Sequence, residues 1–128
     1  MRMENDRKAI GIRGEEAACR YLEARGHRIL ERNWRSGHLE LDIVSLSGDG
    51  LHFVEVKTRV APLSAEPEES VRRSKRQRMV GAARAYLSDE KTLHRPDMEV
   101  FFDVVSVVFD GQDRQIDYFP QAFIPIYV

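Results

Sequence analysis

Residues 39–58 read LELDIVSLSGDGLHFVEVKT, two runs of strand-forming residues on either side of Ser47-Gly48-Asp49-Gly50. Branched and aromatic residues favour extended backbone, and a cluster of serine, glycine and aspartate marks a tight turn. The stretch predicts an antiparallel hairpin with strands over residues 39–46 and 51–58. With Leu46 facing Leu51 across the turn, Asp42 faces Glu55 and Glu40 faces Lys57. Strand side chains alternate with period two, so these four charged groups share one face. Leu39, Leu41, Ile43, Val54 and Val56 go to the other face, in the core.

Directly opposed residues hold their Cβ atoms about 4.5–5.5 Å apart. Two carboxylates at that separation repel, and without a counter-charge one of them takes up a proton. A divalent cation resolves the conflict. Magnesium favours sites with one or two carboxylates, several waters and phosphate oxygens. Glu55-Val56-Lys57 offers a carboxylate, a backbone carbonyl and an ammonium in succession. The ammonium can orient an attacking water or stabilise charge on a phosphate, which is the equipment for phosphodiester hydrolysis.

Upstream, residues 5–25 predict a helix closed by Gly26. Ile10, Gly14, Ala17, Ala18, Cys19, Tyr21 and Leu22 form its apolar arc, with Arg13, Glu16, Arg20 and Glu23 opposite. Glu15 falls inside the arc, and a carboxylate aimed inward needs a partner. Residues 27–34 form a short, rather polar strand. Downstream, residues 61–69 read as a loop and residues 68–87 as a second helix with an apolar stripe of Val71, Met79, Ala82, Ala83, Tyr86 and Leu87. Residues 100–109 form a buried strand, nearly continuous in apolar residues. Residues 115–119 form an edge strand. The order α-β-β-β-α-β-β implies an α/β sandwich with a central mixed sheet.

The second helix carries Arg72, Arg73, Lys75, Arg76, Arg78 and Arg84, with no acidic residue from Ser70 to Ser88. Solvated faces normally mix both signs, so this one-sided face suggests contact with a phosphate backbone. Lys75 and Gln77 are the helix residues to test first for a place near the site, and Arg59 is a further phosphate-contact candidate. A net charge of −1 over 128 residues excludes binding by bulk charge but not by a local face. The length fits one domain, residues 1–128. The single cysteine, Cys19, the polar start of the chain and the lack of a long apolar run predict a cytoplasmic protein with neither signal peptide nor membrane span.

Asp42, then twelve residues, then Glu55-Val56-Lys57 resembles the PD-(D/E)XK pattern of restriction-endonuclease-like nucleases. Gly14-Glu15, Ala17-Ala18, Tyr21-Leu22 and Gly26 resemble the first helix of the uncharacterised YraN-like (UPF0102) family within that superfamily. Asn33-Trp34-Arg35, Glu40-Leu41-Asp42, residues 53–59 and Asp103-Val104-Val105 resemble its strand motifs. The layout is also similar to archaeal Holliday-junction resolvases, with an acidic residue at the place of Glu15. The resemblance implies a restriction-endonuclease-like fold and a Mg²⁺- or Mn²⁺-dependent endonuclease acting on nucleic acid, DNA above RNA. It implies metal binding by Asp42, Glu55 and the Val56 carbonyl, catalysis by Lys57 and support from Glu15.

Two competing readings stand beside the nuclease. A nuclease fold can bind nucleic acid through Arg59, Arg72, Arg73, Lys75, Arg76 and Gln77 without cutting it. The apolar segment of residues 119–128 can pack on the sheet edge or bury itself in a homodimer. Glu40 reads as a salt-bridge partner of Lys57, Glu15 as either a metal-site residue or a paired carboxylate, and Asp103 as structural. The four histidines, His27, His38, His52 and His94, have no ligand spacing.

Overall fold

The computed structural model describes residues 2–63, 69–89 and 98–123, and side chains from residues 6, 73 and 98 onward in those segments. Helix α1 (Arg2–Ala24) precedes strands β1 (Arg28–Ser36), β2 (Leu39–Ser47) and β3 (Gly50–Val60). Helix α2 (Glu69–Ser88) follows, then β4 (Val100–Asp110) and β5 (Asp113–Phe119). The five strands lie in the order β1-β2-β3-β4-β5. All neighbours are antiparallel except β3 and β4, which are parallel and joined through α2. This is the expected α/β sandwich with a mixed sheet.

The two helices cover opposite faces, because the central strands are apolar on both. Ala17, Ala18, Cys19 and Leu22 of α1 pack on Ile43, Val54, Val105, Val107 and Phe109. Met79, Val80, Ala82, Ala83 and Tyr86 of α2 pack on Leu41, Val44, Leu51, Phe53 and Phe102. Trp34 and Phe53 meet the Tyr86 ring edge-on, at 5.2 and 5.7 Å between centroids. Such pairs add to the area they bury. Val71, expected in the α2 stripe, lies outside the described side chains.

Gly26 closes α1 as the sequence indicates. Its φ of +96° is the left-handed conformation of a helix C-cap. The N–H groups of Gly26 and His27 donate to the carbonyls of Glu23 and Leu22, the paired bonds of a Schellman motif. The β2–β3 hairpin takes the expected register, Leu46 opposite Leu51 and Ser47 opposite Gly50.

One expectation about the sheet fails. The β2–β3 ladder ends at Ile43 opposite Val54, so Asp42 and Glu55 are not ladder partners. Alternation also breaks there: Ile43 packs under α1, whereas Leu41 and Leu39 pack under α2. Leu39 and Leu41 therefore do not share the face of Val54 and Val56. Asn33, across from Asp42 in the β1–β2 register, takes a left-handed φ of +53°. Asparagine tolerates that region better than most residues. β1 carries a second irregularity at Leu30. The sheet is kinked and parted where the charged residues gather.

Candidate functional site

Asp42 stands at the point where β2 leaves β3. The Val56 N–H, past the end of the ladder, donates to Asp42 Oδ2 at 2.9 Å. A side-chain oxygen thus takes the place of a strand carbonyl. An extended residue projects its N–H and C=O to the same side, since opposed residues can exchange both bonds. The Val56 carbonyl therefore also lies on the Asp42 side of β3.

Burial pushes the Asp42 carboxyl up to about 6. The bond from Val56 opposes the shift, and the charges of Glu15, Glu55 and Glu40 reinforce it. Asp42, Glu40 and Glu55 line one cleft of about 220 Å³ together with His38, Lys75 and Arg78. Lys75 Nζ lies 2.7 Å from Glu55 Oε2. The pairing of Lys75 with the site matches the expectation that this helix residue reaches it. Among the described residues, no three His, Cys, Asp or Glu side chains come together closely enough to hold a metal ion by themselves.

Glu15 reaches Asp42 from α1, and a glycine makes that approach possible. A Cβ on Gly14 would lie 2.0 Å from Thr58 Oγ1, so the helix backbone rests directly on β3. Asn33 Nδ2 donates to Glu15 Oε1 at 3.0 Å. The hydrogen-bond partner of Glu15 is thus a neutral amide. Next to it, Glu16 turns outward to Arg20 and Arg32 at 2.8 and 3.0 Å.

Glu40 pairs with Arg35, its cross-strand partner on β1, at 3.5 Å. The early end of the β2–β3 ladder removes the register that set Glu40 opposite Lys57. Lys57 and Arg59 follow Glu55 on the same side of β3 and line a neighbouring cleft of about 390 Å³. Leu63, Val104, Ser106, Val108 and Phe119 complete much of its wall. On α2, Arg73, Lys75, Arg76, Gln77, Arg78 and Arg84 are exposed. Arg76 lies over the Phe123 ring, 5.5 Å from its centroid. The Arg72 side chain lies outside the described residues, as do residues 64–68 of the expected loop, residues 124–128 of the expected apolar tail, and His94. Of the tail, Phe123 packs on Phe102 and Phe119 is exposed.

A second cluster, which the sequence reading missed, lies on the α1 side of the sheet. His52 Nδ1 is 2.6 Å from Asp103 Oδ2, and its Nε2 is 2.8 Å from Asp49 Oδ1. The Tyr118 hydroxyl and the Gln121 N–H donate to Asp103 at 2.6 and 2.9 Å. Ser47 Oγ donates to Asp49 and lies 2.9 Å from His52 Nε2. Serine, histidine and aspartate in line suggest a nucleophile triad. The chemistry is otherwise, because both ring nitrogens face carboxylates. Burial alone would push His52 down, yet the bonds to Asp103 and Asp49 outweigh it and raise the ring above its usual range. Ser47 donates to the Asp49 carboxylate, and each His52 nitrogen is already held by a carboxylate, so the ring is not set as a free base for the hydroxyl. The cluster is structural, which agrees with the reading of Asp103, and His52 faces away from Glu55.

Among the described residues no helix is long and apolar enough to cross a membrane. The profile of the uncharacterised protein family UPF0102 matches residues 14–107, which hold every carboxylate and β3 cation described above. A UPF0102 protein of Bacteroides thetaiotaomicron is 45% identical over 116 residues, 91% of this chain and 93% of that one. One from Geobacter metallireducens is 40% identical over the same shares of the two chains. One from Oleidesulfovibrio alaskensis is 47% identical over 81% of this chain and half of its own length. With matches of this extent, the chain belongs to the uncharacterised protein family UPF0102.

Proposed function

We propose that the protein is a divalent-cation-dependent nuclease that hydrolyses phosphodiester bonds in DNA. The observation that carries this reading is the Asp42 carboxyl, mostly buried where the ladder opens and acted on by the charges of Glu15, Glu55 and Glu40. A fold gains nothing from such crowding unless a cation answers it.

The donor set fits a hard dication. Asp42 and Glu55 supply carboxylate oxygens, and the Val56 carbonyl lies on the same side of the strand. All are oxygen ligands, and few enough to leave room for waters and phosphate oxygens, as Mg²⁺ or Mn²⁺ prefers. When bound, the cation supplies a lowered water pKa and Lewis-acid stabilisation of charge on the phosphate. The rest falls to the chain. Lys57, on the same side of β3 as Glu55, orients the attacking water or neutralises the phosphate. Glu15 adds negative charge behind Asp42. Arg59, Arg73, Arg76 and Gln77 hold the backbone of the substrate.

Cleavage of a substrate panel of single strands, duplex, flap, four-way junction and RNA, with Mg²⁺ or Mn²⁺, tests this reading. Wild type should cut at least one DNA substrate, while Glu55→Ala and Lys57→Ala lose about 10²-fold or more. Equal cutting by the variants would overturn it.

The exposed basic face of α2 favours a second reading, a nucleic-acid-binding module that does not cut. It predicts salt-sensitive binding weakened by charge reversal at Arg73 and Arg76 and indifferent to Glu55→Ala.

A further inference from the structure

The Lys75–Glu55 pair has an unusual location for an ion pair on a basic helix. No acidic residue lies on the chain from Ser70 to Ser88, so α2 provides no carboxylate there. Lys75 finds one on the central strand, at 2.7 Å. The two ends of the pair are differently placed. The Glu55 side chain is only 16% exposed, while that of Lys75 is 55% exposed. Glu55 is fixed in the cleft wall, and Lys75 reaches in from solvent on a flexible four-carbon stem.

The ammonium lies against one of the two Glu55 oxygens open to a dication at this site. Two cations cannot share that oxygen at hydrogen-bonding distance without strong repulsion. The carboxylates also cannot be left uncompensated, since Glu55, Asp42 and Glu40 line one cleft and repel one another when charged. Lys75 is placed to supply the missing charge and, being half in water, to give it up at little expense. Arg78 lies one turn further along α2 and lines the same cleft. Residues three apart share a helix face, so a withdrawn Lys75 stands beside Arg78 at the cleft mouth.

We infer that Lys75 is an exchangeable counter-ion: it neutralises Glu55 in the metal-free protein, and a divalent cation displaces it to the cleft mouth, where with Arg78 it binds a phosphate of the nucleic acid. Metal and nucleic acid then strengthen each other's binding through one side chain, without any change of backbone. The inference rests on the metal-dependent reading and goes beyond it, because it assigns the site a regulating residue of its own. By linkage the effect is reciprocal.

The test is calorimetric titration of Mn²⁺ into the full chain, free of nucleic acid, for wild type, Lys75→Gln, Lys75→Arg and Glu55→Gln. Circular dichroism confirms that each variant is folded. Removing the competitor should make Lys75→Gln bind Mn²⁺ about fivefold tighter or more, while Lys75→Arg stays near wild type. Affinity for a DNA oligonucleotide, measured with Ca²⁺ or with chelator, should rise with the metal in wild type and much less in Lys75→Gln. Unchanged or weaker Mn²⁺ binding by Lys75→Gln overturns the inference. If Glu55→Gln still loses the metal in that case, the metal-dependent reading survives alone. Absence of Mn²⁺ binding in both wild type and Lys75→Gln overturns both.

Discussion

Asp42 and Asp103 both stand on strands of one sheet, yet their surroundings push them in opposite directions. Asp103 is fully buried, and burial alone would raise its carboxyl. Donors from His52, Tyr118 and Gln121 outweigh that and hold it below its usual range. Asp42 is also largely removed from water, but it has one backbone donor and three carboxylates nearby, and is pushed up to about 6. Depth is therefore a poor guide to what a buried acid does. Its bonding partners decide whether it stabilises the fold or waits for a ligand.

The largest effect should come from removing the satisfied acid. Asp103→Ala leaves the Tyr118 hydroxyl, the Gln121 N–H and Nδ1 of the His52 ring without their partner. Urea denaturation should show a loss of about 3–5 kcal/mol. A loss under about 1 kcal/mol would mean that the cluster contributes little and that the contrast with Asp42 is mistaken.

The unsatisfied acid should behave in the opposite sense. Moving a carboxyl from 3.8 to about 6 corresponds to about 3 kcal/mol of penalty on the charged form. Between those values the folded state holds more protons than the unfolded one, so this contribution falls as pH rises. In chelator at pH 8, Asp42→Asn should be more stable than wild type by about 1–3 kcal/mol, and the gain should fade between pH 6 and pH 4. The same substitution should remove Mn²⁺ binding. A variant destabilised at pH 8 would place Asp42 with Asp103, among the structural groups. The other cluster has the reverse signs. The share of Asp103 is lost as pH falls through its lowered value, and that of His52 as pH rises through its raised one.

The exposed pair sets the lower end of the scale. Arg35 and Glu40 lie in solvent, with side chains 70% and 41% exposed. Arg35→Ala should change stability by less than about 1 kcal/mol in the same denaturation series. A larger change would show that Glu40 acts on the cleft and not only on β1.

Regular spacing made much of this molecule legible in its sequence. The apolar arc of α1, the cap at Gly26, the turn at residues 47–50 and the alternation of β3 are local signals, and each produced the observed element. The gathering of Asp42, Glu55 and Lys75 in one cleft was legible for the same reason, since residue type and the phase of strand and helix carry the information. What stayed hidden depends on where regularity stops. Nothing local marks Ile43 as the last ladder residue, and so Leu41 was assigned to the wrong layer. Asn33 was the available hint, a turn-loving residue inside a strand. The Asp49–His52–Asp103–Tyr118 cluster joins four points spread over residues 49–118, and only the folded sheet brings them together.

The contact between Gly14 and Thr58 turns a packing detail into an indexing device. A helix lying on a sheet can slip like a screw, advancing about 1.5 Å and turning about 100° for each residue of error. Here there is no room for even a methyl group at the point of touch. A slip by one residue in either direction would drive the side chain of Arg13 or Glu15 into the Thr58 methyl and hydroxyl. The helix therefore has one notch into which it can settle, and with it Glu15 has one address beside Asp42.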